Sequence, residues 1–172
     1  MPVRCVADTN VPVTANGANS GASSSCVAAS ARALRTVMRE GHLFVDDDGR
    51  IVREYRDNLR AQGQPGPGDA FLKWVLTHEW GGVRVTRVPI TRKDSEPEDY
   101  QELGDPPAGI RFDPDDTKFL AVAAAHAEHP PVLQSLDSKW WGWRDALAAK
   151  SVAIHFICPA EIAAKYAQKM GG

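Results

Sequence analysis

Four acidic residues, Asp8, Glu54, Asp116 and Asp137, stand where the local sequence delivers a carboxylate to the end of an apolar element. Val6-Ala7-Asp8 and Leu133-Gln134-Ser135-Leu136-Asp137 read as short buried strands that stop abruptly at an acid. In an open parallel sheet, ligands bind beyond the carboxyl ends of the strands, so two such acids face one crevice. Asp116 falls at the start of an Ala-rich amphipathic helix, where the helix dipole favours negative charge. Glu54 lies in the first turns of another helix, beside Ile51 and Tyr55. Carboxylates gathered in one place repel one another and their proton affinities rise. A divalent cation removes that cost, and Mg²⁺ or Mn²⁺, which take hard oxygen ligands and keep several waters, suit such a set. An ion held there polarises a phosphoryl oxygen and activates a water for in-line attack. The expected reaction is phosphodiester hydrolysis.

The elements that must position these acids are legible from periodicity. Val3 to Ala7 is a first strand, and Asn16 to Ser25 is a loop whose serines cap a helix over Cys26 to Glu40, closing at Gly41. Val27, Ala31, Leu34 and Met38 give that helix one apolar face. Leu43 to Asp46 reads as a strand, Asp48-Gly49 as a turn, and Ile51 to Arg60 as a helix with Ile51, Tyr55 and Leu59 on one stripe. Gln62 to Gly68 is Pro/Gly punctuation, after which Asp69 caps a helix from Ala70 to Trp80. Val83 to Ile90 suits a half-exposed strand, and Asp94 to Asp113 an irregular surface excursion. The Ala-rich helix runs to about Glu128, Pro131 to Leu136 is a strand, and Trp141 to Ala149 a helix. A strand over Val152 to Ile157 and a helix from Pro159 complete the chain. Strands alternating with helices predict an α/β fold with a mainly parallel sheet.

A length of 172 residues predicts one domain able to bury a full core. Three scattered cysteines, Cys5, Cys26 and Cys158, form no ligand cluster and read as unpaired packing residues of a reducing compartment. With no apolar run long enough for a leader or a membrane span, a cytoplasmic protein is expected. The net charge of −2 carries no basic footprint for nucleic acid, but a carboxylate site lowers net charge without excluding cationic patches beside it.

The segments Val6-Ala7-Asp8-Thr9-Asn10-Val11, Ile51-Val52-Arg53-Glu54-Tyr55, Asp113-Pro114-Asp115-Asp116-Thr117-Lys118-Phe119-Leu120-Ala121-Val122-Ala123 and Leu133-Gln134-Ser135-Leu136-Asp137 occur in one order over nearly the whole chain. Together they resemble the motifs of PIN-domain nucleases. The resemblance implies a Rossmann-like three-layer α/β/α sandwich and a Mg²⁺- or Mn²⁺-dependent nuclease acting mostly on RNA, less often on single-stranded DNA. By motif position it makes Asp8, Glu54, Asp116 and Asp137 the metal-binding and catalytic acids. It makes Asn10 and Ser135 supporting residues, with Asp115 beside them. Proteins of this family often act as toxins held by an antitoxin, or as arms of defence systems, and commonly pair as homodimers. One departure is plain: where the family often carries Asp-x-Asp after the late strand, this chain has Asp137-Ser138-Lys139.

Each acid also has a simpler reading. Asp113, Asp115 and Asp116 could each cap the Ala-rich helix, and counting back from Ala121 and Ala123 selects Asp116 as the site acid. Asp137 could start a turn, Glu54 could pair with Arg50 or with Lys/Arg neighbours on a solvated face, and Asp46-Asp47-Asp48 before Gly49 reads as a turn. For nucleic acid, Arg50 and Arg53 offer a phosphate-facing stripe, and Lys139 with Trp140 offers a cation and a stacking ring, against a plain packing role for the tryptophans. Two rival functions stand beside nuclease. A haloacid dehalogenase-type phosphatase needs a second Asp two residues after the first, where this chain has Asn10. A non-catalytic PIN-like module would bind nucleic acid or protein without cleaving.

Overall fold

The computed structural model describes residues 1–63, 65–94 and 98–171. Five strands, β1 (Arg4–Ala7), β2 (His42–Asp46), β3 (Val85–Val88), β4 (Val132–Gln134) and β5 (Ile154–Phe156), form one parallel sheet in the order β3-β2-β1-β4-β5. The inner strands are apolar and buried along almost their whole length, as a parallel sheet covered on both faces requires. Edge strand β3 buries its two ends and half-exposes Thr86 and Arg87, in keeping with its alternating sequence.

Among the described residues, seven helices surround the sheet: α1 (Asn10–Ala15), α2 (Ser24–Glu40), α3 (Arg50–Asn58), α4 (Pro67–His78), α5 (Pro114–Ala125), α6 (Ser138–Ala148) and α7 (Pro159–Met170). From β1 the chain passes to β2 and β3, then returns through α5 to β4 on the other side of β1. Right-handed crossovers put α2 and α4 on one face and α5 on the other. In agreement, α2 packs on α1 and α4, while α5 lies over β1, β2 and β4. The result is the expected Rossmann-like three-layer sandwich. Strand order reverses between β1 and β4, which makes the carboxyl ends of these two strands the topological switch point.

Local differences have physical causes. Helix α1 is too short for periodicity to register; it tolerates Pro12 because the first turn has no partner for the missing N–H. Helix α2 starts at Ser24, because Ser23 Oγ accepts the Cys26 N–H at 3.2 Å. Its buried face is Cys26, Ser30, Ala33, Leu34 and Val37, rotated from the expected one by its packing between the sheet and two helices. Gly41 ends it where a Cβ would meet Val3 O at 2.5 Å, so only glycine fits. Asp69 acts from inside α4, accepting the Gly66 N–H at 3.0 Å, so the helix begins at Pro67 instead of Ala70. Of the Gln62 to Gly68 stretch, Gln64 lies outside the described residues. So do Ser95, Glu96 and Pro97 of the Asp94 to Asp113 excursion. An antiparallel bridge ties Tyr100 of that excursion to Arg92 just before it, and a 3-10 turn over Gln101–Leu103 follows.

The cysteines correct the reading of them as unpaired. Cys26 and Cys158 form a disulfide that joins the start of α2 to the start of α7 across 132 residues; Cys5 is free and buried. Among the described residues, no helix is long and apolar enough to cross a membrane.

Candidate metal centre

Asp8 follows β1 and is only 5 % exposed. Its Oδ1 accepts the Asn10 N–H at 2.7 Å, which fixes the carboxyl at the mouth of the switch point. Burial pushes its pKa up to about 8; the charges of Asp116, Glu54 and Asp137 add to the rise, and the Asn10 hydrogen bond opposes it. Asp8 thus feels the charges of the three other acids expected from sequence.

Asp116 lies in the first turn of α5 and is 9 % exposed. Burial raises its pKa to about 6, against the pull of Lys139 and with Asp137 and Asp113 adding to the rise. The three neighbouring aspartates differ in burial and contacts. Asp113 is the N-cap, its Oδ1 accepting the Asp115 N–H at 3.2 Å, and Asp116 is the buried acid. Asp115 is exposed, so its expected supporting role finds no contact there. Asp137 is the N-cap of α6, with Oδ1 accepting the Lys139 N–H at 3.1 Å. Its turn-starting role and its place among the acids are both realised. Glu54, half-buried on α3, pairs through Oε2 with Lys118 Nζ at 2.6 Å, not with Arg50.

Asn10 supports the centre as a latch. Its side-chain oxygen accepts the Leu136 N–H at 2.8 Å, tying the loop after β1 to the loop after β4. The position two after Asp8 is therefore committed to structure and holds no general acid, which removes the phosphatase rival's second carboxylate. Ser135 is fully buried and shares a 2.8 Å hydrogen bond with Ser30, bracing β4 on α2 instead of meeting the acids. Asp46, fully buried, accepts the N–H groups of Arg50 and Ile51 at 2.8 Å each and so caps α3.

The residues expected to hold nucleic acid fare differently. Trp140 is corrected outright: it is fully buried, 6.0 Å from Trp143 between ring centroids, and presents no face for a base. Lys139 turns inward, its Nζ 2.6 Å from Asp113 Oδ2, 3.1 Å from Asp116 Oδ2 and 3.3 Å from Asp137 Oδ2. Arg50 is taken up by Glu98, with Asp48 at 3.9 Å. Arg53 is exposed, in a groove of about 340 Å³ lined also by Asp48, Gly49, Arg56, Glu79, Trp80 and Arg87. Sequence reading missed this groove because it joins α3 to the end of α4 and to β3. Buried Glu79 holds Arg56 at 3.6 Å and Arg87 at 3.3 Å. The Arg87 guanidinium stacks 4.1 Å from the centroid of Trp80, whose ring is 77 % exposed.

Among the described residues, no three His, Cys, Asp or Glu side chains stand as a ready-made cage for a metal ion. Lysines are interposed instead: five carboxylates (Asp8, Glu54, Asp113, Asp116, Asp137) face two contacting ammonium groups, Lys118 and Lys139. Five against two leaves an excess of three negative charges when all ionise. Asp116 Oδ2 is moreover a buried acceptor without an aligned hydrogen bond. Lys139 approaches it within 3.1 Å, but at an angle that makes this a charge contact rather than a directed bond. A buried carboxylate oxygen in that condition is costly unless a cation completes it. Hard oxygen donors, an uncompensated negative charge and this orphaned atom fit Mg²⁺ or Mn²⁺.

Comparison of the chain with protein-family models, with curated proteins and with solved structures returns no match.

Proposed function

We propose that this chain is a metal-dependent nuclease of the PIN type, hydrolysing phosphodiester bonds of RNA or, less readily, of single-stranded DNA. The observation that carries the reading is the pair of buried acids at the switch point, Asp8 and Asp116, left electrostatically short of cation within a ring of carboxylates.

Asp8 and Asp116 would hold the ion, and Glu54 and Asp137 would bind it directly or through water. When bound, Mg²⁺ or Mn²⁺ supplies Lewis-acid polarisation of a phosphoryl oxygen and a water of lowered pKa. The chain's own residues do the rest. Asn10 holds the two acid-bearing loops in register. Tyr55, buried beside Ile51, donates its hydroxyl to Ala7 O and fixes the last residue of β1. Lys118 orients Glu54. The groove of Arg53, Arg56, Arg87 and Trp80 starts at the Asp48-Gly49 turn, which follows β2 on the carboxyl edge where the acids lie. Guanidinium groups for phosphates and an open tryptophan face for a base support a single strand as substrate.

A toxin or defence ribonuclease is the biological setting this reading favours. It includes a protein partner such as an antitoxin, and pairing of two copies. A cytoplasmic location goes with the same setting, and the Cys26–Cys158 disulfide weighs against it, since such bonds persist in oxidising compartments. The test is incubation of labelled single-stranded RNA and DNA with the protein in Mn²⁺, Mg²⁺ or EDTA. Metal-dependent shortening supports the proposal and identifies the preferred polymer. No cleavage with any metal, together with no heat of Mn²⁺ binding, would sink it and leave a PIN-like binding module.

A further inference from the structure

Among the described residues, Lys139 is the one cation in direct contact with three of the five carboxylates described above, and its position follows from the backbone. Asp137 Oδ1 caps the Lys139 N–H, which fixes the lysine in the first turn of α6 and points its stem back across the start of α5. Its Nζ then meets Asp113, Asp116 and Asp137, donating a hydrogen bond to Asp113 Oδ2 and standing in charge contact with the other two carboxylates. The two helix caps divide their oxygens in the same way. Asp113 and Asp137 each spend Oδ1 on a backbone N–H and turn Oδ2 to Lys139. Trp143 closes one side, with Nζ 5.7 Å from its ring centroid.

We infer that Lys139 is a built-in cation standing where a second divalent ion would otherwise bind, so that the centre loads a single Mn²⁺ or Mg²⁺. The inference rests on the metal-dependent reading above. Asp116 is the shared carboxylate. One side of the centre is Asp8 and Glu54, which Lys139 does not touch; the other is Asp113 and Asp137, already engaged by it. A second ion among Asp113, Asp116 and Asp137 would have to displace the ammonium from all three oxygens while facing the first ion's charge. Lys139 is placed to contribute a fixed positive charge beside a phosphate held at the first ion, the electrostatic share that two-metal sites give to their second ion. It is a permanent charge, independent of metal supply.

The test counts ions and needs no turnover. Calorimetric titration with Mn²⁺, with bound Mn²⁺ counted by electron paramagnetic resonance, is run on wild type, Lys139→Arg, Lys139→Met and Lys139→Asp. Circular dichroism and melting in EDTA report the fold of each. One Mn²⁺ is expected for wild type and Lys139→Arg, and two for Lys139→Asp and Lys139→Met. Two ions in wild type would overturn the inference while leaving the metal-dependent reading intact, and this arm needs no variant to fold. A single ion in every folded variant would also overturn it. No bound Mn²⁺ anywhere would overturn the metal-dependent reading and the inference with it.

Discussion

The side-chain oxygen of Asn10 accepts the backbone N–H of Leu136 at 2.8 Å, a bond between residues 126 apart in sequence. It spans the switch point and holds the loop carrying Asp8 against the loop carrying Asp137. Leu136 is 5 % exposed, so Asn10→Ala leaves a buried N–H unpaired, which costs about 1–3 kcal/mol. The melting temperature is expected to fall by about 5 °C, and Mn²⁺ affinity to fall with it as the loops part. Asn10→Asp keeps the acceptor and should retain most of the stability. A melting temperature unchanged in Asn10→Ala would show that the latch holds nothing.

The raised pKa of Asp8 has a sign that melting can read. Its carboxyl moves from 3.8 to about 8, so between these values the folded protein keeps a proton that the unfolded chain has lost. The group's contribution to folding is complete below pH 3.8 and is lost as pH rises through about 8. Asp8→Asn escapes that loss while keeping an oxygen to accept the Asn10 N–H. In EDTA the variant is expected to melt above wild type, with the gap widening from pH 5 to pH 8 by up to about 1 kcal/mol per pH unit. Mn²⁺ should raise the melting temperature of wild type far more than that of the variant. A variant that melts below wild type at pH 8 would contradict the burial of an uncompensated acid.

Reduction should cost the fold a great deal, because the Cys26–Cys158 bond closes a loop of 132 residues. Chain-entropy reasoning puts the contribution at about 5 kcal/mol, or about 15 °C in melting temperature for a domain of this size. Melting with and without dithiothreitol checks it, with Cys158→Ser as the companion variant. Equal melting temperatures under both conditions would mean that packing of α7 alone carries the junction.

Trp80 and Arg53 give separate readings of strand binding. In an Asp116→Asn background, anisotropy of a labelled single-stranded oligonucleotide should show several-fold weaker binding on Trp80→Ala, since a base stacked on an aromatic ring is worth about 1–3 kcal/mol. Arg53→Ala should weaken binding and lower its dependence on salt. Binding unaltered by either change would exclude the groove as a strand path without bearing on cleavage itself.

How far the chain could be read in advance depended on how local each signal was. Apolar segments ending in Asp8 and Asp137, and the Asp113 to Asp116 start of the Ala-rich helix, are local. They led directly to the parallel sheet and its acidic edge. Helix α1 escaped because six residues around Pro12 offer no periodicity. The Cys26–Cys158 bond and the Trp80 groove join elements far apart in sequence, where spacing says nothing. The burial of Trp140 and the inward turn of Lys139 are hidden for a related reason. In an α6 that starts at Ser138, neighbouring residues point in different directions, and this one's cap aims the lysine at three acids and its neighbour into the core. Asp113 reads from sequence as a cap, and its second oxygen has a role only because Lys139 reaches it from α6.

The most direct test of the central claim is cleavage of single-stranded RNA in Mn²⁺ by wild type and Asp116→Asn, purified identically and compared at equal concentration. Asp116→Asn preserves the shape of the side chain but removes the buried charge, so in EDTA it should melt no lower than wild type. Cleavage by wild type that falls at least about 100-fold in the variant is the expected result. Equal rates from the two proteins would show that the acids at the switch point do not perform the hydrolysis.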